Sequence, residues 1–118
     1  PVMRHVRDFE NANSDKETYC LFIAPQIHRD TVNTFWNAIK YEYEGSKQKI
    51  VPMTITQFVI LLETLLALKK KSIRFKHTEL LQLYEQIIET SKESARSDEW
   101  VEKIPKVITG WKNTLLVV

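Results

Sequence analysis

Residues 17–36 read ETYCLFIAPQIHRDTVNTFW, and they decide the fold class. The segment TYCLFIA at 18–24 is almost wholly apolar and rich in β-branched and aromatic side chains, the composition of a strand buried on both faces. It stops at Ala24-Pro25, and a polar turn carrying Gln26, His28, Arg29 and Asp30 follows. Val32, Phe35, Trp36 and Ile39 then recur at helical spacing as far as about Glu42, with Asp30 or Thr31 placed to cap the helix. A turn at 44–48 (EGSKQ) leads to a second short strand at 49–53 (KIVPM). Strand, helix and strand make one right-handed βαβ unit with parallel strands. Ligands sit just beyond the carboxyl ends of such strands, which makes His28 and Arg29 candidate contacts to DNA or a partner; as a plain connection, the turn needs only its capping residues.

Outward from this unit the chain is helical. Residues 1–10 read as the end of a helix with Val2, Val6 and Phe9 on one face, followed by the polar break NANSD at 11–15. After the second strand, Thr54 and Gln57 form a T-x-x-Q capping box, with Met53 and Phe58 placed as a hydrophobic staple. The helix they start is apolar nearly all round until Lys69, so burial is expected, and Lys69, Lys70 and Lys71 close it where cations suit the helix dipole. A further helix over about 78–93 sets Leu80, Leu83, Tyr84, Ile87 and Ile88 on one face. Ser97 is the expected cap of a last helix that Pro105 kinks or restarts and Gly110 ends. The expected fold class is α/β, mostly helical: one βαβ unit plus carboxyl-terminal helices, read as a single domain or fragment over 1–118.

Bulk composition narrows the classes. A chain of 118 residues with 43% hydrophobic content can bury one core. Its 17 Lys and Arg against 15 Asp and Glu leave a net charge of +2, far below that of an obligate nucleic-acid coat. The single Cys20 has no internal disulfide partner and reads as a small core residue. No apolar run is long enough to span a membrane, and PVMRHVRDFE has no signal-peptide apolar region. There is no P-loop, G-x-G-x-x-G or G-x-S-x-G motif, and His5, His28, His77 and Cys20 have no zinc-site spacing. Two parallel strands are too few for a sheet buried on both faces. With Pro1 rather than Met at the first position, this leads to the expectation that the chain is a piece of a longer one.

The segments V-x-R-H-V (2–6), Y-x-L-F-I-A-P-x-I-H-R-D-T (19–31) and I-V-P-M-T-I-x-Q-F (50–58) resemble the carboxyl-terminal half of AlwI-type type II restriction endonucleases. The small subunits of heterodimeric nicking-type restriction enzymes look similar. The resemblance covers residues 1–70 well, as the carboxyl-terminal part of a nuclease-like core, and 71–118 more loosely, as a helical extension. It implies the PD-(D/E)xK fold of the FokI cleavage domain and a parent enzyme that hydrolyses DNA phosphodiester bonds with Mg²⁺. It also implies double-stranded DNA as substrate, a dimer or a second nuclease subunit, and a bacterial cytoplasmic setting. In that family two carboxylates, the second in a (D/E)-x-K, hold the metal. No (D/E)-x-K occurs here, because Asp15-Lys16-Glu17 and Glu102-Lys103 have the wrong spacing. The resemblance therefore places the catalytic carboxylates upstream of this chain, which by itself is expected to be inactive, with no catalytic or metal residue of its own.

The resemblance also makes Arg4 and His5 candidates for DNA or partner contact, because the matching helix takes part in the FokI dimer; a solvated helix face is the alternative. The basic run Lys69, Lys70, Lys71, Arg74, Lys76 and His77 has enough cations to neutralise several phosphates, or it is a solvated helix end. Asp8 and Glu10, two apart on a helix, do not face each other as metal ligands would, and Glu42 and Glu44 read as a solvated helix end. The competing function is a non-catalytic helical module for protein interaction or DNA binding.

Overall fold

The computed structural model describes residues 2–41 and 47–116. Its elements run α1 (Val2–Ala12), β1 (Cys20–Ala24), α2 (Arg29–Lys40), β2 (Ile50–Thr54), α3 (Ile55–Lys70), α4 (His77–Glu93) and α5 (Ser97–Leu116). The strands pair in parallel, from Cys20 opposite Ile50 to Ala24 opposite Thr54. This is the mostly helical α/β arrangement that the sequence predicts. Most of the 44–48 turn, with Glu42 and Glu44, lies outside the described residues. No described helix is long and apolar enough to cross a membrane.

Alternation along the strands separates two packing faces. On one, Ile50, Cys20 and Phe22 meet Phe35 and Ala38 of α2 and Val2 and Met3 of α1. On the other, Val51 and Met53 join a single core with Leu61 and Leu68 of α3, Leu83 and Ile87 of α4, and Trp100, Ile104 and Ile108 of α5. Gln48, buried just before β2, ties the first face together: its amide Nε2 donates to Met3 O at 2.7 Å, and its main-chain N–H donates to Ala38 O at 3.0 Å.

The capping box forms as read. Gln57 N–H donates to Thr54 Oγ1 at 3.2 Å and Thr54 N–H donates to Gln57 Oε1 at 3.0 Å. The side-chain amide Nε2 of Gln57 donates to Val101 O at 2.9 Å, so the cap also anchors α5. Met53 is buried in the core, and half-buried Phe58 packs against it. The face of α4 is as expected, with Leu83, Ile87 and Ile88 buried.

Five local expectations are corrected. β1 is not buried on both faces: its side chains are half-buried and Ile23 is 37% exposed, whereas Ile50, Val51, Pro52 and Met53 are buried. The reason is position, since α2, α3, α4 and α5 all pack on β2 while only α3 makes comparable contact with β1. α3 is not buried all round either. Leu61, Thr64 and Leu68 face inward, and Ile55, Val59, Leu62 and Leu66 face outward, because its neighbours lie on one side. Phe9 is 59% exposed, and Val6 carries the buried face of α1 beside Arg7, which pairs with Glu10 at 3.2 Å. Ser97 does not cap α5; its buried hydroxyl donates to Asn33 Oδ1 of α2, while Glu99 Oε2 accepts Ala95 N–H at 3.0 Å. Finally, α5 runs through both Pro105 and Gly110 to Leu116, because buried Ile104, Ile108 and Trp111 lock the helix on either side of them. Tertiary packing outweighs the local helix-breaking tendency there.

Candidate functional site

The predicted contact residues fall into three separate places. At the carboxyl end of β1, His28 has extended backbone and is itself the cap of α2, correcting the expectation of Asp30 or Thr31. Its Nδ1 accepts the Asp30 N–H at 3.1 Å. Arg29 opens α2 and lines a cleft of about 290 Å³ shared with Ile27, Ser97, Asp98 and Glu102. Two carboxylates in that cleft suit it poorly to a polyanion. Arg4 stands elsewhere, in a cleft of about 390 Å³ between α1 and the first turns of α2, with Met3, Phe22, Thr31 and Phe35. His5 is exposed beside it.

The third place is the far end of α3. A 16-residue helix is about 24 Å long, so Lys69 and Lys70 stand roughly that far from the end of β2. Lys71 is the C-cap, and Lys69 and Arg74 line a cleft of about 730 Å³ with Leu62, Leu66, Ile73 and Phe75. The eight candidates therefore do not converge on one site.

A polar cluster that sequence reasoning missed sits at the amino ends of the strands. Lys49 Nζ donates to Glu17 Oε1 at 3.3 Å, to Tyr19 OH at 3.3 Å, and to Glu85 Oε1 of α4. The Tyr19 hydroxyl donates to the same Glu85 oxygen. Burial would lower the Lys49 pKa, but its hydrogen bonds to Glu85 and Tyr19 overcome that and hold it above the ordinary lysine value. Burial would raise the Glu85 pKa, but the hydrogen bonds from Lys49 and Tyr19 push it below the usual carboxylate value. Burial and the Glu85 contact raise the Tyr19 phenol. An ammonium made harder to deprotonate and a carboxylate made harder to protonate are poor proton-transfer groups near neutral pH, so the cluster is an ionic clamp of α4 onto the sheet. No local pattern pairs residue 49 with residue 85, so no sequence motif marked it.

Among the described residues no three His, Cys, Asp or Glu side chains come together as a metal site. Asp8 is exposed, Glu10 is paired with Arg7, and Glu17 and Glu85 are paired with Lys49. This donor set does not fit a Mg²⁺ ion, which takes free carboxylates and water in an octahedron. Cys20 is half-buried, and burial raises its thiol pKa, so it reads as a packing residue.

A family model described as AlwI restriction endonuclease matches residues 1–61, just over half of the chain, covering α1 through the first turns of α3. No curated protein matches the chain.

Proposed function

Because this chain belongs to the AlwI restriction endonuclease family, we propose that it forms the outer, non-catalytic part of a PD-(D/E)xK nuclease core acting on double-stranded DNA. The observation that carries this reading is β1, half-exposed and with Ile23 open, beside a β2 that is buried along Ile50–Met53. A strand of this composition is stable in a sheet when another strand covers its free edge. In this reading, strands from outside the described residues pair with β1 and bear the carboxylates that bind Mg²⁺ in the parent enzyme. Arg4 and His5, exposed on α1, are the contacts proposed for DNA or a second nuclease subunit.

The test is plasmid cleavage with Mg²⁺ by the 118-residue chain, beside the same chain carrying an added strand pair with a (D/E)-x-K at the β1 edge. Cleavage by the extended form alone supports the reading. Cleavage by the short chain overturns it. If neither cuts, a non-catalytic interaction module replaces it.

A further inference from the structure

The apolar stripe on α3 and the cleft at its end form one surface. Ile55, Val59, Leu62 and Leu66 recur at intervals of four, three and four, and all are exposed, Leu66 at 57%. That interval is the seam a second helix packs against. Beyond Lys71 the chain doubles back through Ser72, which adopts a left-handed φ of 57°. Ser72 N–H bonds Lys69 O at 3.0 Å and Ile73 N–H bonds Leu68 O at 2.9 Å, satisfying the last helix carbonyls. The returning Ile73-Arg74-Phe75 thus forms the cleft wall opposite Leu62, Leu65 and Leu66. Phe75 is braced from behind by an edge contact with Trp111 at 5.8 Å between ring centres. The lining is apolar apart from Ser72 and two cations, Lys69 and Arg74, and it contains no acid. Lys70 and Lys71 stand exposed just outside.

We propose that this surface binds an amphipathic helix of a protein partner, one that carries acidic residues flanking its apolar anchors. The inference goes beyond the nuclease reading and does not depend on it. An apolar floor with cations at one end complements such a helix in both respects. Duplex DNA fits less well: phosphates gain nothing from Leu62 and Leu66, and Glu63 stands exposed beside them. A second copy of α3 also fits less well, because Glu63 is its only acid and leaves the cations unmatched.

The experiment is fluorescence anisotropy on the 118-residue chain. The probe is a labelled peptide of about 18 residues, long enough to span the stripe, with leucines at the seam interval and glutamates on its flanks. The same peptide with lysine for glutamate, a scrambled peptide and a short DNA duplex serve as comparisons. Saturable binding of the acidic peptide is expected, weakened about tenfold or more by Leu66→Glu. The charge reversal Lys69→Glu with Arg74→Glu is expected to shift preference to the lysine peptide, while an unchanged melting profile shows the fold is intact. The proposal is overturned if the acidic peptide does not saturate, or if the scrambled or lysine peptide binds the parent chain equally well. It is also overturned if Leu66→Glu abolishes duplex binding instead, or if sedimentation shows a dimer that Leu62→Glu dissolves.

Discussion

The indole N–H of Trp100 donates to the main-chain carbonyl of Ile87 at 2.7 Å, with both side chains fully buried. Trp111 and Trp36 do the same to Glu79 O at 2.9 Å and Ser91 O at 3.1 Å. Three tryptophans on α2 and α5 therefore hold one helix, α4, which explains why none of them is free to stack on a base. Trp100→Phe should destabilise the chain by about 1–2 kcal/mol, from the lost hydrogen bond and ring volume. Trp100→Ala should cost about 3–5 kcal/mol, because a cavity is left as well. Urea unfolding checks both, and equal losses would contradict the cavity argument.

The Lys49–Glu85 clamp predicts a defined pH response. The lowered Glu85 pKa gives stability that is present above the ordinary carboxyl value of 4.5 and lost as pH falls through the lower folded value. The raised Lys49 pKa gives stability present below 10.5 and lost as pH rises through its folded value above that. Both side chains are about one-third exposed, so solvent screening limits the pair to about 1 kcal/mol. The stability gap between the parent chain and Glu85→Gln should be flat across neutral pH and close as pH falls below the ordinary carboxyl value of 4.5. A gap that widens in acid would count against the clamp.

Thr54→Ala removes one bond of the capping box and should cost about 1 kcal/mol. Gln57→Ala should cost more, because the bond to Val101 O goes as well. Thermal unfolding of the two variants side by side tests the order.

Gly110 lies inside α5, and a Cβ there would meet nothing within 4 Å. Gly110→Ala should stabilise the chain by about 0.5–1 kcal/mol. A loss of stability would mean that the helix does not continue through this position in solution.

For the proposed DNA contact, Arg4→Ala in the extended nuclease should weaken duplex binding at all sequences and lower the salt slope by about one unit. Arg29→Ala, facing Asp98 and Glu102 across its cleft, should leave the slope unchanged. A titration of affinity against salt distinguishes them.

The candidate site was only partly legible in the sequence. The basic run at Lys69–Arg74 was visible as charge, but its apolar cleft depends on Ser72 turning the chain back beneath Trp111. Arg4 and Arg29 both read as exposed cations, yet one faces threonines and phenylalanines and the other faces two acids. The Lys49–Glu85 contact joins residues 36 apart, which no local window contains.

By itself the sequence determined what local physics controls: two β-branched runs as strands, the T-x-x-Q start of α3, and the 3.6-residue stripe of α4. Those features depend on neighbours within a turn or two along the chain. Tertiary structure alone decided that β2 is central and β1 half-open, that α3 leaves Leu62 and Leu66 uncovered, and that α5 passes Gly110. Each of those outcomes is set by which surfaces meet in space, and burial of Trp111 outweighs the preference of a single glycine.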